Sequence, residues 1–372
     1  MAPGARSRPK LDIIANKRRL VEAVSRRGDP NRYLQRRRVK PRTNAIYETA
    51  AHEFEEFARI RKLAWSTQPL RDETMNAYIH FLFRAGEPAS AARMALYGLV
   101  HRECLTLKDP NEMQIARAAL RGFGVAAPTK QRDPMPWEAV VLLATYLAQL
   151  QDPLALDVGR ALVVAFDGYL RPSEVVGIKG CDVTIVGRNS VLEYRPVSVT
   201  IAPFKADDGG LPNPPTKSGE YDDSVVFGDQ ASMRSGRGWI CGLLAALKKR
   251  RPGARAIFTC DLGQLESLTK FAVKTLGMEA LRLTPHCARH GGASSDYATS
   301  VRPLDGVRRR GRWKAEESVR RYEKAGRLHK QVALISPALL TGIKTKARAL
   351  PGLLQVGEVV VEKIRRPASK LS

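Results

Sequence analysis

Near the C-terminal end of the chain stands Thr284-Pro285-His286-Cys287-Ala288-Arg289-His290-Gly291, followed by Gly311-Arg312-Trp313 and then by Tyr322. These side chains suit metal-free cleavage of a phosphodiester. A phenol, with an ordinary pKa of about 10, attacks at neutral pH only when positive charge surrounds it. Tyr322 has that charge nearby: Arg308, Arg309, Arg310 and Arg312 precede it, and Arg320, Arg321, Lys324 and Arg327 flank it. Arg289 offers a planar cation for phosphate oxygens. His286 is a proton acceptor or a hydrogen-bond donor. A single tyrosine on a basic helix is more often a surface or half-buried residue, so the weight rests on the whole set and its order.

Local signals say how such groups are carried. Thr284 is an N-cap type and Pro285 a first-turn residue, so a helix opens there with His286 at its amino end. Backbone N–H groups and the helix dipole favour a phosphate at that end. His286 and Arg289 are three apart and share one helix face. Upstream, Gly168-Tyr169-Leu170-Arg171-Pro172-Ser173-Glu174-Val175 supplies a second arginine, with Glu174 positioned to orient it. An Arg–Glu pair on a helix surface is the bland alternative. Cys287 and His290, inside the His/Arg motif, are read as structural.

In this order the segments resemble the tyrosine recombinase (phage-integrase-like) family. Its first arginine motif is matched by Leu170-Arg171-Pro172-Ser173-Glu174 and its H-x-x-R pair by His286 and Arg289. Its glycine-led His or Trp is matched by Trp313, nine residues before Tyr322. The resemblance runs from about residue 43 to 340 and is tightest over 285–324. It implies a site-specific recombinase or integrase in which Tyr322 attacks the scissile phosphate, leaving a 3′-phosphotyrosyl intermediate and a free 5′-hydroxyl. Arg171, Arg289, His286 and Trp313 would hold the phosphate, with His286 a candidate to take the tyrosine proton. The family protonates the leaving oxygen with a lysine on a β-hairpin. Thr216-Lys217-Ser218-Gly219 resembles that turn, so Lys217 is the assignment and Lys205 its competitor.

The resemblance further implies double-stranded DNA as partner and a homo-tetramer on two DNA sites. It implies a C-shaped clamp, a segment beyond Tyr322 docking on a neighbouring subunit, and no cofactor, metal or small-molecule substrate. Two rivals stay open. A type IB topoisomerase shares the Arg-Lys-Arg-Tyr chemistry, but His286 and the absence of a Ser-Lys-x-x-Tyr pattern before Tyr322 argue against it. A catalytically silent DNA-binding descendant is the other. The arginine-rich approach to Trp313 and the basic arm look more like mobile-element recombinases of eukaryotes than bacterial chromosome-dimer resolvases, which implies a nuclear location in such a host and a cytoplasmic one otherwise.

Composition agrees with a polyanionic partner. The 372 residues hold 62 Lys+Arg against 37 Asp+Glu, a net charge of +25. Residues 1–43 alone carry 14 Lys/Arg and 3 Asp/Glu. Five scattered cysteines, without any C-x-x-C pair, read as reduced thiols and not as a disulfide or zinc framework. No stretch is apolar for long enough to span a bilayer, and no G-x-x-x-x-G-K-[ST] phosphate loop is present.

The expected fold class is mainly α with a small β-sheet: an N-terminal helical core-binding domain, then a mixed α+β catalytic domain. The expected boundaries are a basic arm at 1–42, the helical domain at 43–122, a linker at 123–136, the catalytic domain at 137–345 and a tail at 346–372. Ile46, Ala50, Phe54, Phe57 and Ile60 mark the first helix face, and Asp72 is expected to cap the second helix. Pro88 and Pro110 open the third and fourth. In the second domain helices are expected at 137–150, 154–168, 239–249, 264–276, 285–299 and 315–324. A strand section covers 191–227, where Val197, Val199 and Ile201 alternate with polar residues. A last strand is expected at 359–361.

Overall fold

The computed structural model describes residues 41–105, 111–128, 132–186, 196–202, 223–323 and 325–354, together with positions 39, 107 and 109. Lys205 and Lys217, the glycine- and proline-rich loop 207–215, the arm before residue 39 and the strand expected at 359–361 lie outside these residues. The contacts divide the chain into two units, Met1–Gln131 and Arg132–Ser372. Both are built mainly of helices, and one three-stranded sheet lies in the second, in keeping with the expected fold class.

The first unit contains α1 (Pro41–Ile60), α2 (Gln68–Arg84), α3 (Ala89–Arg102) and α4 (Gln114–Ala126). Helix α1 lies on α3 and α2 on α4. Phe54, Met75, Tyr78, Ile79, Leu96, Leu99 and Met113 form the core, each worth roughly 1.5–3 kcal/mol of burial. Of the face expected on α1, Ala50 and Phe54 are buried, whereas Ile46 and Ile60 at its ends are exposed. Asp72 does not cap its own helix. Pro69 starts α2 one turn earlier, so Asp72 is buried within the helix. Its carboxylate accepts from the backbone N–H groups of Ile115 (2.9 Å) and Ala116 (2.8 Å), capping α4 across space. Helix α4 runs on to Ala126, so the start of the stretch expected as linker is helical.

In the second unit α5 (Trp137–Gln149) and α6 (Pro153–Asp167) pack together and both line the core. Asp152 caps α6 through the N–H of Ala155 (2.8 Å). The short α7 (Pro172–Val176) follows. Strands β1 (Val183–Ile185), β2 (Val197–Ile201) and β3 (Asp223–Phe227) then form an antiparallel sheet in that order. Val197, Val199 and Ile201 all point inward, as their alternation requires. The chain continues through α8 (Gln230–Arg234), α9 (Ile240–Arg250), α10 (Leu262–Thr275), α11 (Pro285–Ala298), α12 (Leu304–Arg310) and α13 (Glu317–Arg320).

Beyond Tyr322 come α14 (Ala325–Ala333), α15 (Pro337–Leu340) and α16 (Ile343–Leu353), so the first part of the stretch expected as tail is helical. Helix α14 packs on α11, and α16 packs on α5 of the same chain. Leu350 and Leu354 are fully buried there. The Leu354 carbonyl accepts from Nε and Nη2 of buried Arg160 (both 3.1 Å), and Arg160 also pairs with buried Asp157 (2.8 Å). A segment that the resemblance expected to dock on a neighbour is, as far as Leu354, docked on its own unit.

Candidate active site

Helix α11 carries the centre of the site because it is pressed against the core. A Cβ on Gly292 would lie 1.9 Å from the Phe166 carbonyl, and one on Gly291 equally close to the Met135 carbonyl. Only glycine allows this approach. It sinks Arg289 into the unit, where 2% of its surface stays exposed.

The buried guanidinium is held by backbone. Arg289 Nη2 donates to the Gly311 carbonyl at 2.6 Å and Nη1 to the Tyr169 carbonyl. Tyr169 presents that carbonyl from a left-handed backbone (φ 49°), and its hydroxyl donates to buried Asp296. Burial and the Asp296 charge together push the Tyr169 phenol well above its usual pKa, so it stays a donor. Asp296 belongs to a buried ionic cluster under the site. Arg237 bridges Asp167 (3.0 Å) and Asp296, Arg302 bridges Asp296 (3.0 Å) and Asp229 (2.7 Å), and Arg310 pairs with Asp167 (3.0 Å).

Glu174 is the organiser of the arginines. It stands at the first turn of α7, accepts from the Arg171 N–H (2.8 Å) and pairs with the Arg171 guanidinium. It also pairs with Arg312 (2.5 Å) and lies 3.7 Å from Arg289. Burial alone would raise the Glu174 pKa, but Arg312, Arg171 and Arg289 outweigh it and keep it below the usual value. Asp223 also reaches Arg312 Nε at 3.1 Å, so three guanidiniums meet two carboxylates and one positive charge is left over. Accordingly, burial together with the Arg171 and Arg312 charges pushes Arg289 down to about 9. A phosphate arriving here would relieve that crowding.

Trp313 lies between cation and phenol. The Arg289 guanidinium sits 4.6 Å from its ring centre, and the Tyr322 ring 4.9 Å on another side. The ring folds back over Gly311, where a Cβ would meet it at 1.7 Å. Tyr322 is in a 3-10 turn, Arg321–Glu323, after the short α13, where a single longer helix was expected. Only 2% of Tyr322 is exposed.

Its hydroxyl lies 2.8 Å from Nδ1 of His290, not of His286. The His286 ring is edge-on to that of His290, with centres 5.2 Å apart. A recess of about 10 Å³, roughly one water in size, lies beside them, lined by Arg132, Pro134, His290, Ser294, Tyr322 and Arg327. His286 and Arg171 also line a cleft of about 720 Å³, whose rim carries the cations Arg132, Lys270, Lys274 and Arg282 and the acids Glu266 and Glu279.

The structure thus joins Arg171, Arg289, Trp313 and Tyr322 through Glu174 and ring contacts, with His286 one ring further from the phenol. Thr284 is the N-cap residue of α11 without capping by its side chain; its hydroxyl lies 3.4 Å from Cys287 Sγ. Three groups escaped the sequence reading. Arg312 was taken only as part of a basic run, and Arg132 was unremarkable in a linker. His290 had a usable signal, four residues after His286 on the same face.

No protein-family model matches the chain, nor does any curated protein sequence. Solved structures do. Three of these are structures of an integrase or recombinase with DNA. The Tn1549 transposon integrase in complex with transposon right end DNA is 14% identical, over 84% of this chain and 97% of that one, with a TM-score of 0.47. A lambda integrase dimer bound to a COC′ core site is 13% identical over 87% and 83%, TM-score 0.44. XerH site-specific recombinase in a post-cleavage complex with palindromic difH substrate is 13% identical over 72% and 71%, TM-score 0.42.

Proposed function

We propose that this chain cleaves and rejoins double-stranded DNA as a tyrosine recombinase. One observation carries the reading: a buried, arginine-crowded pocket converges on the Tyr322 phenol from segments 151 residues apart in sequence, Arg171 to Tyr322. In the proposed reaction the Tyr322 Oη attacks the phosphorus, and the bond from phosphorus to the 5′-oxygen breaks. The products are a 3′-phosphotyrosyl link and a 5′-hydroxyl. Arg289 and Arg171 neutralise charge on the phosphate oxygens as it spreads in the transition state. Glu174 aligns them, and His286 faces the phosphate from the amino end of α11. Trp313 fixes the Arg289 and Tyr322 planes. Lys217, with Lys205 as the alternative, is assigned to protonate the leaving oxygen. The cations along the 720 Å³ cleft fit the flanking backbone.

Because Tyr322 is buried, attack requires the 3-10 turn to open a path by which the phosphate reaches its oxygen, with the His290 contact kept. Strand exchange between two sites, and the tetramer that this needs, form part of the same proposal. The test is covalent capture on nicked duplexes of varied sequence, run beside supercoiled plasmid. An adduct with strand transfer supports a recombinase. An adduct with relaxation alone makes the topoisomerase reading correct, and binding without adduct makes the silent descendant correct.

A further inference from the structure

We propose that His290, not His286, takes the proton from Tyr322 during cleavage and returns it during rejoining. The inference rests on the strand-cleavage reading above and adds a catalytic residue to it. His290 Nδ1 lies 2.8 Å from the Tyr322 hydroxyl oxygen, within the reach a general base needs. The two rings are 5.8 Å apart centre to centre and tilted by 33°, so the contact is edge-directed through the heteroatoms and not a ring stack. With hydrogen on Nε2, the neutral imidazole accepts at Nδ1 from the phenol. The His286 ring meets the His290 ring edge-on, with centres 5.2 Å apart. It also lines the 720 Å³ cleft, whereas His290 and Tyr322 line the small recess.

The step balances. As Oη bonds to phosphorus, the O–H bond breaks and its proton passes to Nδ1, giving an imidazolium. The leaving 5′-oxygen takes its own proton from the lysine assigned above. In rejoining, the incoming 5′-hydroxyl gives its proton back to that lysine. Nδ1–H then protonates the departing phenolate. A phenol with an ordinary pKa of about 10 is protonated at neutral pH and is a poor nucleophile without such a partner. Among the described residues, the charged and titratable groups around His290 include His286 on α11, Tyr322 on the 3-10 turn, Arg327 on α14 and Arg132 before α5, with Asp133 lying 3.8 Å from Arg327.

The test uses the full chain and a nicked suicide duplex that wild type captures. His290→Asn keeps a hydrogen-bonding group near the position of Nδ1 but removes the basicity, and His290→Gln serves as the second variant if the first melts early. Adduct formation is followed in single turnover across pH, with Tyr322 either natural or replaced by a fluorinated tyrosine, whose phenol is more acidic. The expected result is a loss of about 10²–10⁴-fold in His290→Asn, with the pH-dependent limb abolished and at least tenfold recovered by the fluorinated tyrosine. His286→Gln should show no such recovery. The proposal is overturned if His290→Asn cleaves at the wild-type rate, or if its deficit ignores the acidity of the phenol. A wild-type chain that captures no DNA overturns the strand-cleavage reading instead.

Discussion

Replacing Gly311 by alanine tests the geometry of the site at one methyl group. The backbone of Gly311 is ordinary right-handed (φ −81°, ψ −3°), so alanine adds no backbone strain and the whole effect is steric. The new Cβ would lie 1.7 Å from Cζ3 and 2.1 Å from Cε3 of Trp313, against the 3.4 Å at which ordinary contact begins. The indole must therefore retreat by about 1.7 Å, or the α12–Trp313 turn must open. Over-packing of this kind costs about 1–3 kcal/mol. The melting temperature of the second unit should fall by several degrees, on the order of 2–4 °C per kcal/mol for its size.

The chemical consequence should be larger, because the ring that moves covers Arg289 at 4.6 Å and Tyr322 at 4.9 Å, and the Gly311 carbonyl holds Arg289. A displacement near 1 Å costs about 10²-fold when reacting groups are misplaced. Adduct formation in single turnover should slow by about that factor, while DNA binding changes little. The double variant Gly311→Ala/Trp313→Ala removes the obstacle, so it should be no worse than Trp313→Ala alone. Wild-type rate and stability in Gly311→Ala, or additive losses in the double variant, would refute this account of the pocket.

Three further outcomes follow from the same contacts. Asp72→Ala should destabilise the first unit by about 1–2 kcal/mol in urea unfolding, with Asp72→Asn milder, because two N–H groups of α4 lose their acceptor; equal stability of all three would remove the cross-helix cap. Burial alone would raise the Asp229 carboxyl, but the Arg302 hydrogen bond and Arg310 charge hold it at about 2. Its folded pKa lies below the ordinary value of about 4, so its contribution is complete above that pH and disappears as pH falls toward 2. Asp229→Asn should flatten that acid limb in melts between pH 5 and 2 at the cost of stability at neutral pH. Thiol labelling at pH 8 should reach exposed Cys104 and Cys181 but not buried Cys260, whose thiol burial pushes up to about 11, or buried Cys287; rapid native labelling of Cys260 would contradict its packing.

The sequence and the structure inform different parts of this site. The motif around His286 and Arg289 is local, so a proline, a helix start and a spacing of three were enough to place two groups on one face. Trp313 and Tyr322 lie one short connection away and were legible by interval. Contacts that join distant segments were not. The Glu174–Arg312 pair spans 138 residues and the His290–Tyr322 contact 32, and neither leaves a periodic trace. His290 was read as structural, a histidine beside Arg289 of the kind the resembled family frequently carries. Asp72 was assigned to the wrong helix because an N-cap type and a cross-helix acceptor look alike in one dimension. The ionic cluster of Asp167, Asp296, Arg237, Arg302 and Arg310 was invisible, since nothing in a row of charges says which will be buried together. Tyr169 shows the same limit: its left-handed backbone is unusual for a non-glycine residue, and only the Arg289 and Asp296 contacts explain it.

The central claim is that Tyr322 becomes covalently joined to DNA. The most direct measurement is to trap the adduct on a nicked duplex, digest both partners and locate the nucleotide-bearing peptide by mass spectrometry. The account predicts one modified residue, Tyr322, carrying a 3′-phosphoryl nucleotide, and no adduct from Tyr322→Phe despite unchanged DNA binding. An adduct that persists in Tyr322→Phe, or a link to another residue or to a 5′-phosphate, would contradict it.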